Sequence, residues 1–92
     1  MSQTKTIEAK VTGHVQGVAF RTWTRSRARK LGLTGWVRND ASGSVTTHLQ
    51  GDARDVDQML TDLWSGPAAA SVRDVQSYKA TPSEFADFSI SR

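Results

Sequence analysis

The chain has 92 residues, of which 37% are hydrophobic and 23% charged. That balance excludes a disordered polymer and leaves room for one core, so residues 1–92 are expected to form a single domain. There is no cysteine, which excludes disulfides, thiolate metal sites, iron–sulfur clusters and cysteine nucleophiles. Apolar runs are too short for a membrane helix and no signal-peptide pattern opens the chain, so a cytoplasmic protein without membrane partners is expected. The net charge of +3 is uneven: residues 1–50 carry eight Lys and Arg against two Asp and Glu, and residues 51–92 carry four against seven. The first half favours an anion.

In chain order, Ile7, Ala9 and Val11 alternate with Glu8, Lys10 and Thr12, the period of a strand. Good helix formers run from Thr22 to Leu33, with Phe20, Thr24, Ala28 and Leu31 on one stripe and most of Arg21, Arg25, Arg27, Arg29 and Lys30 off it. Trp36–Asn39 and Val45–Gln50 read as strands around a turn, Asp40-Ala41-Ser42-Gly43. Asp52 is placed to cap a helix in which Val56, Met59, Leu60, Leu63 and Trp64 recur at helical spacing, and Gly66-Pro67 stops it. Strands are expected at Val72–Ala80 and Phe88–Ile90.

This order implies an α+β fold: a ferredoxin-like βαββαβ sandwich, its antiparallel sheet carrying two helices on one face, with a short extra C-terminal strand. The first two strands are joined through a helix and so run in the same direction. Their C-terminal ends bring Gly13–Arg21 and Asn39 to one edge.

The segment Gly13-His14-Val15-Gln16-Gly17-Val18-Ala19-Phe20-Arg21 leaves a strand and enters a helix. Two glycines in five residues let successive N–H groups turn toward one point, the form of a phosphate cradle. Arg21, in the first helical turn, has a fork that matches two phosphate oxygens. Taken alone, the segment reads equally well as a plain strand-to-helix turn.

Gly13-x-Val15-Gln16-Gly17-Val18-x-Phe20-Arg21 resembles the first signature of the acylphosphatase family. Gly35-Trp36-Val37-Arg38-Asn39, with Gly43, Val45 and Gly51, resembles the second. The resemblance spans nearly the whole chain, with His14 and Ala19 at positions that vary in the family. It implies hydrolysis of the carboxyl–phosphate anhydride of a small acyl phosphate, without metal or other cofactor, by a monomer. By the same resemblance Arg21 binds the phosphoryl group with the backbone amides of Val15, Gln16, Gly17, Val18, Ala19 and Phe20, and Asn39 orients the attacking water.

Other readings carry less. His14 and His48 lack the spacing of metal ligands and are expected to be surface or partly buried residues without catalytic duty. The Arg25–Lys30 run could suggest nucleic acid, but the aromatic sheet motif of RNA-binding domains is missing, so no nucleic-acid partner is expected. Trp23, Trp36 and Trp64 are expected in or near the core, and Asp55, Asp57 and Asp62 on an exposed helix face. The rival function is a non-catalytic phosphate- or anion-binding module, or an RNA-binding one, on the same fold.

Overall fold

The computed structural model describes residues 3–91. Strands β1 (Thr4–His14), β2 (Thr34–Asn39), β3 (Val45–Asp52), β4 (Ser71–Lys79) and β5 (Phe88–Ile90) form one sheet in the order β4-β1-β3-β2-β5. Helices α1 (Phe20–Lys30) and α2 (Ala53–Leu63) pack against it. The expected ferredoxin-like arrangement is present. One pairing departs from the antiparallel pattern, because β5 runs parallel to β2.

Alternation along β1 buries Ile7, Ala9 and Val11 beneath the helices, where they meet Val37, Val45 and Leu49 from the neighbouring strands. Each of these side chains larger than alanine contributes about 1.5–3 kcal/mol relative to exposure. Helix α2 starts where Asp52 accepts a hydrogen bond from the Arg54 N–H at 2.9 Å and buries Val56, Met59 and Leu63. Trp64, expected near the core, is instead 52% exposed. At about 100° per residue it lies roughly 80° around the helix from Val56, on the side away from Met59, and so falls off the buried stripe. Asp62 also departs from its expected exposed position: its carboxyl is 18% exposed and lies 3.8 Å from Arg27.

Helix α1 begins two residues before the expected Thr22 and ends at Lys30. Its end is a Schellman motif, in which Leu33 N–H donates to Ala28 O at 2.9 Å and Gly32 N–H to Arg29 O at 3.0 Å. Gly32, at φ 72°, adopts the left-handed turn that this motif requires.

Residues 80–87 cross the sheet face opposite the helices. Gln50 holds this strap at both backbone groups of Ser83, donating to its O at 2.7 Å and accepting from its N–H at 3.0 Å. Phe85 lies over His48 with ring centroids 5.2 Å apart, and Trp36 stacks on the same imidazole at 5.8 Å. His48, expected at the surface or partly buried, is therefore buried more fully than that, with Glu8 3.3 Å from its Nδ1. The strap then delivers Phe88, fully buried, to the outer edge of β2. Arg29 grips Asp87 through two hydrogen bonds, of 2.7 and 3.2 Å, at that crossing.

Candidate active site

Sheet register decides what meets at the functional edge. Val45, the first residue of β3, pairs with Val11 on one side and with Asn39 on the other. Val11 and Asn39 therefore lie about two strand spacings apart, roughly 10 Å, and β1 runs on from Val11 to His14. The loop that leaves β1 spans this gap. Val15 and Phe20, 1% and 2% exposed, pin its two ends into the core.

Between those anchors the backbone takes unusual angles. Gly17 has φ 74°, and Ala19, the N-cap of α1, has φ 61° and ψ 26°. Ala19 is the only non-glycine at positive φ among the described residues, a conformation that costs of order 1–2 kcal/mol. The result is a set of unspent donors. Among the described residues, no N–H from Val15 to Thr22 donates to a protein acceptor, and the first helical bond is Trp23 N–H to Ala19 O at 3.0 Å. Ala19 offers no capping side chain, and no acidic residue stands in the first turn. A helix start built this way presents its amides outward, toward an anion.

Arg21 sits in that first turn and makes no salt bridge among the described residues. A cation there opposes the helix dipole by about 0.3–1 kcal/mol, so its placement is not explained by helix stability. Val15, Gly17, Ala19, Phe20, Arg21, Thr22 and Asn39 together enclose a cavity of about 110 Å³. Strand alternation brings Asn39 there, because Gly35, Val37 and Asn39 share the helix-facing side of β2 while Trp36 and Arg38 turn away. The Asn39 Oδ1 is buried and accepts no hydrogen bond. A buried amide oxygen without a donor is an exception to the pairing rule and calls for a physical reason.

Arg21, Asn39, Val15, Gly17, Ala19 and Phe20 thus gather as expected from the sequence. Gln16 and Val18 do not line the cavity. Val18 packs partly into the core. The Gln16 side chain reaches across to the hairpin instead, its Nε2 donating to Asp40 O and Ser44 O, both at 2.9 Å. This side chain ties the cradle to the turn that follows Asn39.

Asp40, read from the sequence only as a turn residue, organises that turn. Its carboxylate accepts from Thr46 Oγ1 at 2.6 Å, Ser44 Oγ at 2.8 Å and Arg38 Nε at 3.2 Å. Burial raises its pKa, but those hydrogen bonds and the Arg38 charge outweigh it and hold the carboxyl below its ordinary value. A depressed folded pKa stabilises the hairpin fully above the ordinary carboxylate range, and that contribution fades as pH falls through the lowered value. The hydroxyls at Ser44 and Thr46, four and six residues on, were the signal for this role. Thr22 in the cavity wall had none beyond its neighbour Arg21.

Replacing Gln16 tests the tie. Gln16→Ala should lower stability by about 1–2 kcal/mol in urea unfolding, for two lost hydrogen bonds. It should also lower kcat/KM about tenfold as the cradle loosens. Gln16→Glu should be worse than Gln16→Ala on both measures, because a carboxylate can only accept and would face two carbonyl oxygens.

The model of the acylphosphatase family matches residues 7–90. The chain belongs to the acylphosphatase family. An acylphosphatase of Rhizobium meliloti is 51% identical over 84 residues, covering 90% of this chain and 88% of that one. Among solved structures, an acylphosphatase from Coxiella burnetii superposes with a TM-score of 0.92 at 34% identity, covering 96% of this chain and 93% of its own. That from Bacillus subtilis gives 0.91 at 27% identity over 98% and 100% of the two chains. Both match the family at the level of the whole sandwich. Among the described residues, no helix is long and apolar enough to cross a membrane.

Proposed function

We propose that the cavity between the 15–22 loop and Asn39 is where this member of the acylphosphatase family cleaves the carboxyl–phosphate anhydride of small acyl phosphates. Arg21 and the outward amides hold the phosphoryl oxygens. Asn39 Oδ1 accepts a hydrogen bond from the attacking water and aims its lone pair at phosphorus. The observation that carries this reading is the run of amides from 15 to 22 without acceptors, beside Arg21, around a cavity that Asn39, whose Oδ1 has no donor, also lines. Donors suit the equatorial oxygens, and the acceptor suits a water.

Phosphoryl transfer depends chiefly on positioning and on stabilising charge at those oxygens. The leaving carboxylic acid has a pKa of about 4–5, so it departs as an anion without a general acid. Asn39 cannot take the water's proton, which passes to a phosphoryl oxygen as the P–O bond to water forms and the bond to the carboxylate breaks. The reaction needs no metal in this scheme.

The test is hydrolysis of benzoyl phosphate in the presence of chelator, with an alkyl phosphate monoester as control. Benzoyl phosphate should turn over and the ester should not, since an alkoxide is a far poorer leaving group. Comparable rates on the two would overturn the leaving-group argument. Binding of phosphate without any turnover would favour the anion-binding module.

A further inference from the structure

A second, larger cavity of about 350 Å³ opens beside the first and shares two of its wall residues, Ala19 and Thr22. It runs along α1, past Trp23, Ser26, Arg27 and Lys30, and is bordered also by Pro67. The Pro67 turn comes close to this region because Gly66, at φ 64°, has no side chain; a Cβ there would stand 2.8 Å from the Phe20 ring. A molecule bound through its phosphate in the first cavity would have this groove next to it, across Ala19 and Thr22.

The groove has a floor and a charge. Trp23 is braced by Phe20, with ring centroids 5.5 Å apart, and carries the Arg27 guanidinium 5.4 Å from its own centroid. Arg27 is thereby oriented, with only a loose 3.8 Å contact to Asp62. Lys30 has no acidic partner among the described residues. Thr22, Ser26 and Lys30 follow one another on the same helix face, about 6 Å apart at ~1.5 Å per residue. Side chains on a helix lean toward its N-terminus, so Arg27 and Lys30 lean toward the first cavity.

Resting on the reading of the first cavity as the phosphoryl site, we infer that this groove receives the acyl half of the substrate and favours acyl groups that carry a negative charge at the end remote from the phosphate. The acyl body lies on Ala19, Thr22 and Trp23. The distal anion meets Arg27 and Lys30.

The experiment compares kcat/KM for benzoyl phosphate and 4-carboxybenzoyl phosphate, equal in shape but for the remote charge, at low ionic strength. In the unaltered protein the charged substrate should be preferred. Lys30→Gln should reduce the charged-to-neutral ratio roughly fivefold, as expected for loss of one partly exposed ion pair. Adding Arg27→Gln should reduce it further, and raising salt should reduce it in the parent but much less in the double variant. Lys79→Gln removes the same charge from β4, at the sheet edge opposite the strands β2 and β5 on which α1 packs. It should leave the ratio unchanged. A ratio insensitive to Lys30 and Arg27, or shifted equally by Lys79→Gln, overturns the groove while benzoyl phosphate is still hydrolysed through Arg21. Failure to hydrolyse either compound, or undiminished hydrolysis of both by Arg21→Ala, overturns the phosphoryl site and the groove with it.

Discussion

Arg21→Ala is expected to lower kcat/KM for benzoyl phosphate by at least about 10³-fold, the scale on which phosphoryl transfer depends on a positioned guanidinium. The fold should not suffer. Arg21 has no salt-bridge partner among the described residues to leave behind, and alanine is both the better helix former and free of the clash with the helix dipole. The free energy of unfolding should therefore stay level or rise by about a few tenths of a kcal/mol. Inorganic phosphate separates the two effects: it should raise the melting temperature of the parent through linkage and leave Arg21→Ala nearly unmoved. Arg21→Lys keeps the charge but not the two-pronged geometry, and should recover only a small part of the lost rate. A variant without Arg21 that still turned over benzoyl phosphate at the parental rate would remove the guanidinium from the reaction.

Much of this architecture was legible because its signals are local. Period two in Ile7–Thr12, the stripe Val56–Leu63 and the Asp52 cap each follow from a few neighbouring residues, and each is present. The cradle was legible through Gly17 and Arg21. What escaped depends on contacts between segments far apart in sequence. The 80–87 strap has no periodicity, and only its pairing with Gln50 and His48 gives it a place. Burial of His48 is a consequence of that strap, so alternation along β3 alone could not reveal it. Gln16 was expected to lend only its backbone amide to the cradle, yet its side chain has partners 24 and 28 residues away. Trp64 shows the opposite error: a stripe read too generously at its margin.

The strap and the site also divide the sheet between them. Its helix-facing side ends in Asn39, while the reverse side is closed by Trp36, His48 and Phe85. Asn39 and Trp36 come from the same short strand, so the packing that closes one face steadies the residue that serves the other. Asp40 and Gln16 then fix the turn and the loop against each other. The cavity is small because both of its walls are tied at several points.

Asn39→Ala should therefore dissect function from stability more cleanly than any other substitution. Its Oδ1 is buried without a donor, and burial of an unpaired polar atom costs about 1–3 kcal/mol. Removing it should leave urea stability unchanged or raise it by about 1 kcal/mol. Turnover should move the other way. Loss of one group that orients a reacting atom lowers kcat by about 10²–10³-fold. Phosphate should bind nearly as before, because Arg21 and the loop amides remain. KM should change little, since the water, not the substrate, loses its partner. Asn39→Asp sharpens the test. Its carboxylate can still accept from water, but it places a negative charge beside the phosphoryl oxygens, so phosphate affinity should drop as well. If Asn39→Ala kept full kcat, the orphaned oxygen would have no part in aiming the water. If it lost phosphate affinity in step with kcat, Asn39 would be holding the phosphoryl group instead.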